Sequence, residues 1–282
     1  MKVVVTCLAP LSHGSFGDEA GNAMPIRRMA LVSLPGAPRV PCVSGNALRG
    51  ALRRIVMRDL FARCELSRET VPSPAWDRLY AALANGGHLE GSEERVSPDS
   101  IRELRAALPP LSVFGAALYS YLLPGHMSVG ILWPRCKETL EAGLVADAGK
   151  GGGGMLAEDL VEEVSHCRHV DREQQSPELS GVTPMPTTVE VLSTGTVLES
   201  EITFAAHASD RERGAIMHGL SLMRALGGKA AGGFGRVSID CGEALEPSDL
   251  TSYQDWLGSK LAKGALMDLV AQLGPRKAKK GK

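Results

Sequence analysis

Residues 40–54 read Val40-Pro-Cys-Val-Ser-Gly-Asn-Ala-Leu-Arg-Gly-Ala-Leu-Arg-Arg54 and begin the clearest helical pattern in the chain. The apolar residues recur at helical spacing and form one stripe, made of Leu48, Leu52, Ile55, Val56 and Leu60. Ser44 or Asn46 can cap the first turn, because a short polar side chain accepts a hydrogen bond from a free backbone N–H. The pattern predicts a helix that begins at Ser44 and turns one apolar face to a core.

Strand patterns stand on both sides of this helix. Lys2–Leu8 is rich in β-branched residues and predicts a buried strand. The apolar residues 111–133 predict a strand, a turn and a second strand. Residues 188–204 alternate as a strand or hairpin does, with a turn at 193–195, and residues 236–240 predict a last core strand.

A second helix is predicted before that last strand. Ser209-Asp-Arg-Glu212 matches a capping box. Gly227 is expected to end the helix, and its inward positions are Ile216, Met217, Leu220, Met223 and Leu226. The order strand, helix, strand, strand, helix, strand predicts an α+β fold: a ferredoxin-like (RRM-like) βαββαβ palm with long helical and loop insertions.

One elaborated domain over residues 1–275 fits this order better than two. Its core is expected to comprise about residues 1–60, 111–135 and 188–242, with insertions at about 61–110 and 136–187.

Further elements are predicted in the insertions and at the C-terminal end. Short helical patches lie at 76–84 and 99–108, and a longer helix at 249–273. The four glycines 151–154 favour a mobile loop or extended arm. The basic residues 276–282 predict a disordered tail.

Composition excludes several classes of protein. The 282 residues include no run of roughly 20 apolar residues and no signal peptide at the start, so we expect a cytoplasmic protein that does not bind a membrane. The six cysteines lie far apart, which predicts reduced thiols in place of a disulfide scaffold or a zinc site.

The charges are segregated along the chain although the net charge is only −1. Arginines gather at 27–28, 49–58 and 63–68, whereas acidic residues gather at 90–103 and 158–163, and again at 243–255. A nearly neutral protein with this distribution is expected to carry a basic groove.

The segment Gly227–Gly235 contains five glycines in nine residues. Closely spaced glycines let a backbone approach phosphates and point its N–H groups at them. A Walker loop and a dinucleotide-binding fingerprint both run from strand to helix, whereas this segment runs from helix to strand, so no nucleotide cofactor is expected. The alternative is a flexible turn without a ligand.

The N-terminus of the first helix is a second candidate for phosphate binding. Free N–H groups near Ser44 and Asn46 could hold an anion, and Arg49 and Arg53, four residues apart, could reach the same strand of phosphates. The alternative is a solvated basic face.

Together these segments resemble the repeat-associated mysterious protein (RAMP) superfamily of CRISPR systems. In that superfamily a Pro-x-Ser-Ser/Gly-x-Leu-Arg-Gly-x-Leu-Arg helix follows a long loop, and a glycine-rich loop precedes the last core strand. Pro41–Arg53 and Gly227–Gly235 match these features, and Leu111–Gly115 resembles the family's Leu-Phe-Gly turn. The resemblance covers about half of the chain and is nearest to the backbone ("family seven") subunits of class 1 complexes, of type III and type IV.

The resemblance implies a guide-RNA (crRNA) binding backbone subunit of a CRISPR effector ribonucleoprotein for nucleic-acid defence. Copies would stack head to tail beside other effector subunits, and the guide would read the complementary target by base pairing. The low aromatic share, 4%, agrees with phosphate-driven, salt-sensitive binding. No cofactor, metal or catalysis is expected. The RNA-binding residues we predict are His13, Asn22, Arg27, Arg28, Ser44, Asn46, Arg49, Arg53, Gly228, Lys229, Gly232, Gly233 and Arg236.

Two alternatives stay open at this point. A RAMP-type endoribonuclease could process guide RNA or cut target RNA with His13 or Asp18, although Gly21 or Asn22 stands where type III subunits carry their cutting aspartate. An unrelated ferredoxin-like domain could instead bind a metabolic ligand. His166-Cys-Arg-His169 has atoms suited to a metal but lacks a fourth ligand nearby.

Overall fold

The computed structural model of the chain describes residues 1–14, 23–89, 97–119, 121–146, 154–166, 187–242 and 246–273. Its strands are β1 (Lys2–Cys7), β2 (Ala23–Met24), β3 (Arg28–Ala30), β4 (Arg39–Pro41), β5 (Gly87–Leu89), β6 (Ala116–Tyr119), β7 (Tyr121–Leu123), β8 (Met127–Val129), β9 (Trp133–Pro134), β10 (Val161–His166), β11 (Thr187–Leu192), β12 (Val197–Phe204) and β13 (Val237–Asp240). Its helices are α1 (Gly45–Arg63), α2 (Ala75–Ala84), α3 (Pro98–Ala107), α4 (Pro109–Phe114), α5 (Lys137–Glu141), α6 (Asp210–Leu222), α7 (Pro247–Gly258) and α8 (Lys260–Leu273). The predicted α+β class is confirmed.

The main sheet is antiparallel and has the order β13-β1-β12-β8, with β9 also pairing with β12. Alternate residues of β1 are buried, namely Val3, Val5 and Cys7. The elements β1, α1, β8 with β9, β12, α6 and β13 follow one another in the predicted strand–helix–strand–strand–helix–strand succession.

Helices α1 and α6 pack closely against each other and against the sheet. The predicted stripe residues Leu48, Leu52 and Val56 are fully buried. A Cβ at Gly219 of α6 would lie 2.6 Å from Cγ2 of Val56, so only glycine permits this approach of the two helices. Gly45, the first residue of α1, similarly abuts the backbone of β8, and this contact fixes the N-terminus of α1 on the sheet.

Helix α3 has no fully buried residue; Ile101 and Leu104 pack against the core, and a polar network also joins the helix to the rest of the molecule. Arg105 lies 2.7 Å from Nε2 of His126 and donates to the carbonyl of Pro124 at 2.7 Å. Because arginine only donates, Nε2 of His126 accepts, and Nδ1–H donates to Glu212 at 3.0 Å. The network joins α3 to the capping box of α6, where Ser209 and Glu212 bind each other's backbone N–H groups.

Three predicted elements differ in the structure. Residues 111–114 belong to α4 and are not a strand, because Pro109 and Pro110 favour a first helical turn and Gly115, at φ 67°, ends it. Helix α6 ends at Leu222 and not at Gly227; residues 223–226 are extended, and Ala225 pairs with Arg236. The predicted C-terminal helix is two helices, α7 and α8, interrupted at Ser259.

Two predictions about strands need revision. Strands β11 and β12 are joined by the predicted turn, but they form no hairpin, because β11 pairs with β10 and β2 whereas β12 pairs with β1. The insertion predicted as a loop or arm contains β10 at Val161–His166, and the four glycines lie mostly outside the described residues.

The described cysteines agree with the prediction of reduced thiols. Cys7, Cys42, Cys64 and Cys136 are free and buried, and Cys241 is free and half-buried. Among the helices that the structure describes, none combines the length and apolar character that crossing a membrane requires.

Candidate nucleic-acid interface

Three elements that are distant in the sequence meet at residues 12–14. The backbone N–H of Ser44, at the start of α1, donates to Nε2 of His13 at 3.2 Å. The N–H of Gly228 donates to the carbonyl of Ser12 at 2.8 Å, and the N–H of Arg27 donates to the carbonyl of His13 at 2.9 Å. The α1 N-terminus and the glycine segment therefore contact adjacent residues after β1.

The glycines of 227–235 serve close backbone contacts. Gly227 has φ 86°, and a Cβ there would collide with the carbonyl oxygen of Ser12. Gly235, at φ 75°, meets the carbonyl of Leu226 in the same way. Glycine is thus required where this segment crosses the residues after β1.

The sequence predicted that the glycine N–H groups would point at a phosphate. In the structure several of them donate to carbonyls of the protein. Gly228 donates to Ser12, Gly232 to Lys229 at 2.9 Å and Gly233 to Ala230 at 3.1 Å. The last two of these bonds hold a short 3₁₀ turn at Ala230–Gly232. The segment instead presents the exposed side chain of Lys229, whose backbone is left-handed at φ 56°.

The first turn of α1 is capped as predicted. The Ser44 hydroxyl accepts from the N–H of Ala47 at 3.3 Å. The Ser44 N–H is taken by His13, whereas Asn46 is exposed beside it. The helix start therefore offers Asn46 to a ligand, with the partial positive charge of the helix N-terminus behind it.

His13 is neutral in this arrangement. A backbone N–H only donates, so Nε2 of His13 carries no proton where it meets Ser44. Burial, and next the charge of Arg27, lower the pKa of His13 below its ordinary value. Since Nε2 accepts from Ser44, it cannot at the same time take a proton from a substrate. Asp18, the other candidate of the ribonuclease alternative, lies outside the described residues.

Four predicted cations lie at or near this junction. Arg27, Lys229 and Arg236 are exposed, and none has an ion-pair partner within the described part of the chain. Arg28 instead donates to Glu190 at 2.5 Å. Burial alone would raise the pKa of Glu190, but the hydrogen bond from Arg28 holds it below its ordinary value, so the charge of Arg28 is neutralised locally.

Arg49 and Arg53 point into the protein and not toward the junction. The Arg53 side chain donates to the carbonyls of Phe114 (2.8 Å) and Gly115, and Arg49 donates to the carbonyl of Phe114. Arg53 is only 8% exposed. Burial, and next the charge of Arg49, lower its pKa to about 10. The geometry does not favour the predicted phosphate contacts of this pair, because the guanidinium groups are used to bind α4.

Arg54 and Arg58 are exposed on the side of α1 that faces away from its apolar stripe. We did not predict them as ligand contacts. The helical spacing could have shown which arginines of α1 face outward. Arg53 falls next to Leu52 and Val56 on the buried face, whereas Arg54 and Arg58 fall opposite it.

Several residues of interest lie outside the described residues. They are Asp18 and Asn22 after β1, the pair Cys167 and His169, and the basic tail. In the described ranges, no three side chains among histidine, cysteine, aspartate and glutamate are grouped so that they could hold a metal ion.

No protein-family profile matches the chain, and no curated protein matches it by sequence. A chain of the Type IV-B CRISPR complex superposes with a TM-score of 0.57 at 18% identity, covering 87% of this chain and 91% of that one. The Csc2 protein of Thermofilum pendens aligns over 97% of this chain and 76% of its own at 16% identity, with a TM-score of 0.42 that is too low to establish a shared fold. The chain therefore has a fold similar to that of a subunit of a Type IV-B CRISPR complex, the class of protein that the motifs indicated.

Proposed function

We propose that this chain is a guide-RNA-binding backbone subunit of a cytoplasmic CRISPR effector complex, without catalysis of its own. The observation that carries the proposal is the junction at residues 12–14, where the capped start of α1 and the glycine segment meet between exposed cations. The similarity in fold to a chain of a CRISPR complex supports the same conclusion.

The junction is suited to a phosphate backbone and not to a base. Arg27, Lys229 and Arg236 supply charges without acidic partners in the described ranges, and Asn46 supplies a neutral polar group at the helix start. Contacts of this kind fix the position of a nucleic acid but carry no sequence information. Target recognition would then fall to base pairing by the guide, with further copies of this chain and other effector subunits along it.

The proposal predicts binding that is sensitive to salt and insensitive to RNA sequence. We expect Arg27→Ala combined with Lys229→Ala to weaken binding of single-stranded RNAs of different sequence by a similar factor. The slope of log K against log salt should fall by about 1.4, since each phosphate contact on a single strand contributes roughly 0.7. Fluorescence anisotropy over a range of salt concentrations measures both quantities.

The matched control is Arg102→Ala combined with Lys260→Ala, which removes the same two types of charge from the exposed surfaces of α3 and α8. It should bind RNA as the unaltered protein does. Equal losses in the two double variants would mean that binding is nonspecific attraction to charge. No binding of RNA by the unaltered chain would contradict the proposed function itself.

A further inference from the structure

Four residues form a line along the outward face of α1: Asn46, Gly50, Arg54 and Arg58. They are spaced by four, so each lies about one turn beyond the last and the series winds around the helix by about 40° per step. Asn46, Arg54 and Arg58 are exposed and Gly50 is half-exposed. At 1.5 Å per residue the line extends for about 18 Å from the junction at residues 12–14 toward the C-terminal half of the helix.

The two arginines of this line have no compensating charge in the parts of the chain that the structure describes. The other arginines of α1 are engaged: Arg49 and Arg53 donate to α4, and Arg63 pairs with Asp59 at 2.9 Å. Like charges four residues apart disfavour a helix, so Arg54 and Arg58 make α1 less stable by themselves. A bound anion would remove this repulsion.

Gly50 shapes the surface between Asn46 and Arg54. A Cβ at Gly50 would lie 3.4 Å from Nη1 of Arg54, which means that the Arg54 side chain turns back over Gly50 toward the helix N-terminus. The guanidinium is thus carried toward the end of α1 that meets His13 and the glycine segment. The missing side chain at position 50 leaves room for this guanidinium to lie close against the helix.

We infer that the outward face of α1 is a second phosphate-binding surface, continuous with the junction, along which a single-stranded RNA backbone runs past Asn46 and Gly50 to Arg54 and Arg58. The inference rests on the proposed function and adds two binding residues and a direction to it. The inward pair Arg49 and Arg53 plays no part in this contact.

The test is Arg54→Gln combined with Arg58→Gln in the full chain, with fluorescein-labelled single-stranded RNA of mixed sequence as the probe. We expect an affinity about tenfold lower and a salt slope reduced by about 1.4, corresponding to two lost contacts. Arg54→Lys combined with Arg58→Lys should retain most of the salt slope, because the charges remain. Arg63→Gln is the matched control on the same helix and should leave binding unchanged.

The outcomes separate the inference from the function on which it rests. If the Arg54 and Arg58 glutamine variant binds like the unaltered protein while the Arg27 and Lys229 variant does not, the second surface is wrong and the junction stands. If Arg63→Gln weakens binding as much as the Arg54 and Arg58 glutamine variant does, the line along α1 is also wrong, because any positive charge on the helix would then contribute equally to binding. If the unaltered chain binds no RNA, both proposals fail. Circular dichroism melting curves show whether each variant is folded.

Discussion

His13 is half-buried between the first turn of α1 and Arg27, and this position determines its protonation. Protonation would place a hydrogen on Nε2, where the N–H of Ser44 already points. The histidine therefore acts as a neutral acceptor that orients the helix start. It does not add positive charge to the junction.

The pKa of His13 gives a direct test of this arrangement. We expect it to lie below the ordinary histidine value of about 6.5, and to rise toward that value in Arg27→Gln, because the Arg27 charge is the second cause of the shift after burial. Titration of the His13 ring by NMR, assigned by comparison with His13→Gln, measures both. A pKa at or above 6.5 in the unaltered protein would contradict the placement of His13.

The same shift predicts the pH dependence of stability. A folded-state pKa below the unfolded one means that the unfolded chain binds more protons at low pH. The contribution of His13 is then fully present above about pH 6.5 and is lost as the pH falls through its lower folded-state value. The loss should be smaller in Arg27→Gln.

At the scale of elements, α1 is held to α4 by two arginines, of which Arg53 is buried and Arg49 is half-buried. Arg53 donates to the carbonyls that close α4, and its guanidinium carbon lies 5.4 Å from the centre of the Phe114 ring. Gly86 leaves room for the guanidinium, which a Cβ there would contact. The Leu-Arg-Gly-x-Leu-Arg motif thus encodes a helix-to-helix contact in this chain.

Arg53→Met should therefore destabilise the fold. The substitution removes the Arg53 donor from the Gly115 carbonyl and one of the two arginine donors from the Phe114 carbonyl, and we expect a loss of about 2–3 kcal/mol of unfolding free energy. Arg54→Met on the exposed face of the same helix should change it by less than about 0.5 kcal/mol. Urea denaturation measures both values. Equal stabilities of the two variants would show that the inward hydrogen bonds contribute nothing.

The elements that the sequence predicted well are those with local signals. The apolar stripe and Ser44 defined α1, and Ser209 with Glu212 defined the start of α6. Elements whose ends depend on distant contacts were harder. Helix α6 ends at Leu222 because the next residues pair with the chain around Arg236. No residue near the end of the helix indicates that pairing.

At the scale of the whole molecule, the sequence grouped α1 and the glycine segment in one set of motifs, and the structure brings both to residues 12–14. The direction of individual side chains could not be predicted. Arg49 and Arg53 have the spacing of a phosphate clamp, but which face of α1 is covered depends on where α4 packs. The pairing of Arg28 with Glu190, 162 residues away, likewise leaves no trace in the local sequence.

The contact between the glycine segment and residues 12–14 can be tested by substituting two glycines of that segment. Gly227 and Gly233 both have φ 86°, so alanine strains the backbone at either position. Only Gly227 also meets the carbonyl of Ser12; around the Cβ position of Gly233 no described atom lies within 4 Å.

We expect Gly233→Ala to cost about 1 kcal/mol of stability, and Gly227→Ala to cost at least about 1 kcal/mol more, since the clash adds to the strain. Gly227→Ala should also weaken RNA binding and raise hydrogen exchange at the Gly228 N–H, because the contact with Ser12 holds the backbone that precedes Lys229 against the residues after β1. If the two variants are equally stable and bind RNA equally, residues 12–14 and the glycine segment do not depend on this contact to form one surface.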